Sequence, residues 1–189
     1  MGAKAQSIRE KIISVADDLF YRHGYNRTSF SDISAAVGIS RGNFYYHFKA
    51  KDDILAAVIE NRIAIITNVL QEWDQQSHSP RDRLFSYVTM MESLKDDIHR
   101  YGCPVGSVCS ELIKLRNIYH SNATEMILLF RDWMVIQFSN LHYDEQKSKQ
   151  LAMHLLSRTQ GISMMSHAFA DDEFLLREMQ QLKHWIEAL

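Results

Sequence analysis

Apolar residues recur every three or four positions along most of the chain, the spacing that gathers them on one face of an α-helix. The first such stretch runs from residue 8 to residue 20 and stops before Gly24. Ser7 and Glu10 have the spacing of a capping box, in which each side chain satisfies a free backbone N–H group. The pattern therefore predicts a long first helix that begins near Ser7.

Two short helices follow. Ser29 and Asp32 predict the start of the second helix, and Gly38 predicts its end. In the third helix, Phe44 and Phe48 are four residues apart and fall on one presumed buried side. Two short helices joined by a tight turn and packed on a longer first helix describe a helix-turn-helix unit.

The rest of the chain also has helical periodicity. We predict helices over 52–73, 79–101, 104–115, 121–140, 145–169 and 172–188. An all-α fold of about nine helices fits a chain with only 7 glycines and 2 prolines. No Gly/Ser-rich linker interrupts it, so we place the boundary where a helix starts, with a helix-turn-helix domain at 1–50 and a second helical domain at 51–189.

Charge and composition exclude some classes of binding partner. The net charge of −2 argues against a chain that coats nucleic acid, so any anion-binding surface must be local. The most apolar run, residues 126–138, contains Arg131 and Asp132 and is too short and too charged to span a bilayer. We therefore predict no membrane partner. The first residues contain no apolar core of a signal peptide, and the 2 cysteines form no disulfide framework, so we expect a cytoplasmic protein.

Local motifs for catalysis are missing. His142 and His154 are the closest pair among the 9 histidines, so no helix carries two histidines one turn apart for a metal ion. The glycines form neither a dinucleotide-binding nor a phosphate-binding loop. We therefore predict no catalytic residue, no metal and no cofactor, with an all-α enzyme as the weakest alternative.

The segment Ser40–Lys51, SRGNFYYHFKAK, is the richest in chemistry. It combines aromatic and basic side chains without one carboxylate. We expect Arg41 and Asn43 to contact base edges from the first turn of a recognition helix. Hydroxyl, imidazole and ammonium groups can donate hydrogen bonds to phosphate oxygens. We therefore assign contacts with the DNA phosphates to Thr28, Ser29, Ser40, Tyr45, Tyr46, His47 and Lys51. The alternative is an ordinary solvated helix face.

At these residues the sequence resembles the tetracycline-repressor family of regulators. The similarity extends over Thr28–Leu55, TSFSDISAAVGISRGNFYYHFKAKDDIL, together with the preceding helix. Gly42 matches the family pattern and joins the DNA-contacting set, whereas Ser34 and Asn43 depart from it. The resemblance implies a homodimeric, ligand-responsive regulator, usually a repressor, on a palindromic operator in double-stranded DNA. It also implies that residues 1–50 are the DNA-binding domain and residues 51–189 the effector-binding and dimerisation domain. A helical small-molecule-binding or protein-interaction module without specific DNA binding is the alternative.

Methionine and aromatic residues of the second domain suggest a place for an unknown small-molecule effector. They can line an adaptable cavity, for which we select Phe85, Met90, Met91, Phe130, Trp133 and Met164. Cys103 lies where Pro104 opens a helix, and helix N-termini favour thiolates. The Gly-Cys-x-x-Gly segment also resembles that of family members that respond to electrophiles or oxidants. The alternatives are an ordinary Met-rich core and a small buried cysteine.

The last two helices carry broad apolar stripes. In the family these helices form the dimer interface, which implies interface roles for Leu151, Leu155, Ile162, Met165, Leu175, Met179, Leu182 and Ile186. The alternative is that these residues only close the core of one chain.

Overall fold

A computed structural model describes residues 3–116 and 119–189, and these residues form ten α-helices. The all-α prediction is therefore confirmed. The helices are α1 (Ala3–His23), α2 (Phe30–Val37), α3 (Arg41–His47), α4 (Lys51–Gln76), α5 (Pro80–Ser93), α6 (Lys95–Tyr101), α7 (Pro104–Lys114), α8 (His120–Asn140), α9 (Glu145–Phe169) and α10 (Asp172–Glu187).

Helix ends follow local chemistry in most places. Ser29 caps α2 and forms the complete capping box with Asp32, and Gly38 ends α2 at a φ of 74°, which glycine adopts at little cost. Ser79 caps α5 ahead of Pro80. The start of α1 is an exception. Because α1 already begins at Ala3, Ser7 lies within the helix and the predicted cap there is wrong.

One predicted helix is divided in two. The periodicity over 79–101 predicts one helix, but Leu94 has φ −91° and ψ 8° and separates α5 from α6. The Ser93 hydroxyl donates to the carbonyl of Met90 at 2.7 Å, a contact that bends helices. This single break accounts for ten helices where nine were expected.

Contacts divide the chain into two compact units. The first comprises Met1–Ile65 and Ser107–Met126, and the second comprises Ile66–Gly106 and Ile127–Leu189. The first unit thus contains more than the predicted domain at 1–50, since it includes the first half of α4 and the segment Ser107–Met126. The assignment of functions to 1–50 and 51–189 stays a prediction.

Each unit has its own apolar core. In the first unit, α1 packs on α2, and the fully buried side chains are those of Ile12, Ile33, Phe44, Ile54, Leu55, Ile59, Leu112 and Met126. In the second unit, α10 packs on α5, α6 and α9, and the fully buried side chains include Leu84, Tyr87, Ile98, Phe138, Leu155 and Leu182. Burial of such side chains is the main force that holds each unit together.

Candidate nucleic-acid interface

The third helix is anchored by its aromatic residues. Phe44 is fully buried and Phe48 is 4% exposed. The Phe44 ring contacts Phe30 of α2 edge to face, with centroids 4.6 Å apart. The Ser40 hydroxyl caps the helix by accepting from the Asn43 amide at 3.3 Å. These contacts fix α3 against α2 and decide which side chains face outward.

The outward face carries hydrogen-bond donors. Arg41, Gly42 and Asn43 are exposed, Tyr45 and Tyr46 are 49% and 65% exposed, and His47 is half-buried. The Tyr45 ring lies on Phe30 with centroids 4.9 Å apart, and Tyr46 contacts His47 edge to face. The aromatic rings are therefore held in place while their polar groups remain accessible.

Thr28 is a buried member of the predicted contact set. Its side chain is 3% exposed, and its hydroxyl lies 2.8 Å from the carbonyl oxygen of Gly24 and 3.3 Å from that of Leu19. The hydroxyl of Thr28 thus faces the protein and is used within it, which argues against the predicted phosphate contact. Ser29 is exposed, and its hydroxyl accepts from the Asp32 amide at 3.1 Å. The hydrogen bonds from Ser29 lower the pKa of Asp32.

Lys51 also points toward its own chain. Its ammonium group donates to the carbonyls of Tyr25 and Thr28, at 3.0 Å each, and lies 4.1 Å from the centroid of the Tyr25 ring. Two of its three N–H donors are thus used within the protein. The assignment of Lys51 to a phosphate stays a prediction, and these intramolecular contacts argue against it.

The predicted effector residues fall into different surroundings. Phe85 and Met90 line an open groove on the second unit together with Trp73. Met91, Phe130 and Trp133 are buried, with the Trp133 indole donating to Asp74 at 3.1 Å. Met164 is 57% exposed on α9, away from these buried side chains, and its predicted role in an effector site stays a prediction.

Cys103 lies in a polar cluster that the sequence analysis missed. Its sulfur accepts from the Gly106 amide at 3.4 Å, and a methyl group at Gly106 would lie 2.5 Å from Gln160 Oε1. Nearby, the Tyr87 hydroxyl lies 2.8 Å from that of Thr159. Burial raises the pKa of Tyr87 well above its usual range. No sequence spacing reveals this cluster, because its members come from α5, α7 and α9.

The two cysteines differ in access. Cys103 is half-buried, whereas Cys109 is 3% exposed and its thiol donates to the carbonyl of Ala123 at 3.0 Å. A thiol that is buried and already donates a hydrogen bond behaves as a small core residue. Cys103 is therefore the more accessible thiol of the pair.

Most of the predicted interface residues are buried within the single chain. Leu155, Leu175, Met179, Leu182 and Ile186 are 0% exposed, and Leu151 and Ile162 are 8% and 5% exposed. These seven belong to the core of the second unit, so their predicted exposure to a partner is corrected. Met165 is 39% exposed. The outward face of α9 instead carries Met153, Ser157, Gly161, Met164 and Ala168.

Two further findings concern the described residues alone. Within 3–116 and 119–189, no group of three or more His, Cys, Asp or Glu side chains is arranged to hold a metal ion. No helix in those ranges is both long and apolar enough to cross a membrane.

The fold and the donor-rich face of α3 define a helix-turn-helix protein. Residues 12–58 match the family model of bacterial regulatory proteins of the tetR family. The chain is 25% identical to a TetR transcriptional regulator from Legionella pneumophila of known crystal structure. The TM-score is 0.82, with 100% of this chain and 97% of the other covered. The chain belongs to the tetR family.

Curated relatives match over part of their length. One is an HTH-type transcriptional regulator in the lacX 3′ region of Lactococcus lactis subsp. lactis, 30% identical over 58% of this chain and 57% of the relative. The HTH-type transcriptional repressor DhaR of Mycobacterium sp. (strain GP1) is 23% identical over 67% of this chain and 62% of its own. The chain thus spans less than two thirds of these two relatives. Both are transcriptional regulators, and neither relationship assigns a catalytic role.

Proposed function

We propose that this protein is a cytoplasmic transcriptional regulator that binds double-stranded operator DNA as a homodimer and releases it when an effector binds. The observation that carries the proposal is the exposed face of α3, where Arg41, Asn43, Tyr45 and Tyr46 surround a buried Phe44 anchor. A short helix with an apolar inner side and outward donors has the form of a recognition helix in the major groove.

Within this face, Arg41 and Asn43 are our candidates for base contacts. Arg pairs with guanine, and Asn pairs with adenine through two hydrogen bonds. Tyr45, Tyr46, His47 and the exposed hydroxyl of Ser29 are candidates for phosphate contacts. Thr28 and Lys51 are left out of this set because their polar groups face the protein.

The homodimer is supported by the outward face of α9. Met153 and Met164 are 49% and 57% exposed and share this face with the small residues Ser157, Gly161 and Ala168. Small residues let two helices approach closely, and exposed methionines supply apolar area for a partner. A two-fold dimer would join two α3 helices to a palindromic operator, which suits the family.

The effector response is proposed to involve Cys103, either directly as a nucleophile toward an electrophile or oxidant, or as part of the wall of a small-molecule site. The support is its access to solvent, in contrast to Cys109, and the Gly106 amide beside its sulfur. An electrophile or oxidant reacts only with a thiol that it can reach.

The test of DNA binding is selection of duplexes from a random pool by the wild-type protein, followed by titration of the selected duplex. We expect a palindrome to be enriched. Asn43→Ala should relax the preference at one base pair in each half-site, with a loss of about 1–3 kcal/mol there. The control is Asn61→Ala, an exposed Asn of α4 in the first unit that is outside both the proposed contact set and the α1–α2 turn. Failure to enrich any sequence would favour a binding module without specific DNA recognition.

A further inference from the structure

The turn between α1 and α2, residues 24–28, is contacted from a distant part of the sequence. Glu111, in the last turn of α7, accepts hydrogen bonds from the backbone amides of Tyr25 at 2.8 Å and Asn26 at 2.9 Å. The residues lie 86 and 85 positions apart in sequence but in the same compact unit. One carboxylate therefore binds two consecutive amides of the turn that leads into the helix-turn-helix.

The turn is shaped for this carboxylate. Gly24 has a φ of 86°, and a methyl group there would lie 3.1 Å from Glu111 Oε1. Consecutive N–H groups directed at one point form an anion-binding concavity, and such bonds to a carboxylate are stronger than bonds between neutral groups. Glycine thus provides both the backbone conformation and the space that Glu111 needs.

The carbonyl side of the same turn is held from α4. Lys51 donates to the carbonyls of Tyr25 and Thr28, and the Tyr25 hydroxyl donates to Asp52. The turn is therefore fixed by an acidic side chain from α7 on its amide side and a basic side chain from α4 on its carbonyl side.

Whatever fixes this turn also fixes α3. The second helix starts at Phe30, directly after the turn and its Ser29 cap, and α3 is joined to α2 by the contact of Phe30 with Phe44. We propose that Glu111 is a positioning residue for DNA recognition, which sets the orientation of α2 and α3 by holding the α1–α2 turn against α7. The inference rests on the proposed function, because it requires two α3 helices held at a defined separation on one operator.

The experiment compares wild-type protein with Glu111→Gln, which keeps the size of the side chain but loses the charge and one acceptor oxygen. Glu111→Asp, shorter by one methylene, is the second variant. Glu125→Gln is the matched control, an exposed glutamate of the same unit. The probes are the duplex that the wild-type protein selects from a random pool and the same duplex with one base pair inserted at its centre.

The inserted pair moves the half-sites apart by about 3.4 Å and rotates one relative to the other. We expect Glu111→Gln to bind the selected duplex about ten-fold more weakly, the factor of roughly one charge-assisted hydrogen bond. Its preference for the selected duplex over the lengthened one should shrink by a similar factor, because a loosened α3 tolerates the wrong spacing. Glu125→Gln should match wild-type protein on both probes.

Other outcomes separate the possible failures. If Glu111→Gln bound both duplexes more weakly by the same factor, Glu111 would only stabilise the fold. If Glu111→Gln bound both duplexes as tightly as the wild-type protein does, Glu111 would have no positioning role. Either result overturns the inference. If the wild-type protein itself selects no duplex, the proposed function fails first. Hydrogen exchange gives a readout without DNA, since the amides of Tyr25 and Asn26 should exchange faster in both Glu111 variants, and unchanged protection would contradict the contact.

Discussion

Lys51→Met should destabilise the first unit, because the Lys51 side chain holds the α1–α2 turn. The sequence assigns Lys51 to a phosphate, whereas the structure shows its ammonium group bound to the carbonyls of Tyr25 and Thr28 at 3.0 Å and lying over the Tyr25 ring. Lys51→Met keeps the aliphatic stem and removes the charge and its donors. The two assignments predict different losses for this variant, one in stability and the other in the salt dependence of DNA binding.

The size of the stability loss follows from the contacts. Each hydrogen bond from a charged donor contributes roughly 1.5–3 kcal/mol, and a partly exposed cation–π contact adds about 0.5–1 kcal/mol. Lys51 is only half-buried, so water replaces part of what the variant loses. We therefore expect a decrease of about 2–3 kcal/mol in the free energy of unfolding.

Urea unfolding followed by far-ultraviolet circular dichroism measures this change. Lys49→Met is the control, because Lys49 is exposed and donates only to the carbonyl of Tyr45 one turn back. It should cost less than about 0.5 kcal/mol. All three tryptophans, Trp73, Trp133 and Trp185, lie in the second unit, so their fluorescence reports on the unit that lacks the substitution.

Salt dependence gives the complementary result. A lysine that contacts one phosphate contributes about 0.9 to the slope of log affinity against log salt. With its ammonium group held by the turn, Lys51→Met should leave that slope unchanged, whereas Arg41→Met should change it if Arg41 also contacts a phosphate. A stability loss below about 0.5 kcal/mol together with a slope reduced by about 0.9 would refute our reasoning and restore the phosphate contact.

Three further predictions concern the second unit. Met164→Glu should yield a monomer in sedimentation, while Ile113→Glu, which is 56% exposed on α7, should leave the dimer intact. A Met164→Glu variant that is still a dimer would mean that the interface lies elsewhere. An added electrophile should modify Cys103 in the native protein and release DNA, and Cys103→Ser should abolish the release whereas Cys109→Ala retains it. Burial raises the pKa of Tyr87, so its contribution to stability is complete below about pH 10 and falls by about 1.4 kcal/mol for each pH unit above that. The difference in stability between wild-type protein and Tyr87→Phe, measured by thermal unfolding at increasing pH, should show that slope. A difference that does not change with pH would contradict the prediction.

Local signals were the predictable part of the fold. Ser29 with Asp32, and Ser79 with Pro80, mark helix starts because a cap acts within three residues of itself. The break at Leu94 was missed, since apolar spacing continues across it and the hydroxyl of Ser93 carries no unambiguous signal. Sequence periodicity therefore located the helices well and their interruptions poorly.

Apolar stripes indicate that a face is covered without indicating what covers it. The family resemblance implied a dimer interface for the stripe through Leu155 and Ile162, yet the same residues are covered within the chain. The exposed face of α9, with Gly161 and Met164, has a weaker apolar pattern because small residues count little in a hydrophobic periodicity. Only tertiary structure separates the two faces.

The residues that carry the family resemblance divide into two groups in three dimensions. Gly24, Tyr25, Thr28 and Lys51 meet at the α1–α2 turn, where Glu111 completes the arrangement from a position that no local motif marks. Arg41, Asn43, Tyr45 and Tyr46 stay exposed on α3. The first group preserves the fold of the helix-turn-helix, since its polar groups are used within the protein. In the function we propose, the second group sets the DNA preference, and Asn43, one of the two positions that depart from the family pattern, is exposed and can vary at little cost to stability. Substitutions in the turn should therefore change how well the protein folds and positions α3, and substitutions at Asn43 should change which base pair it prefers.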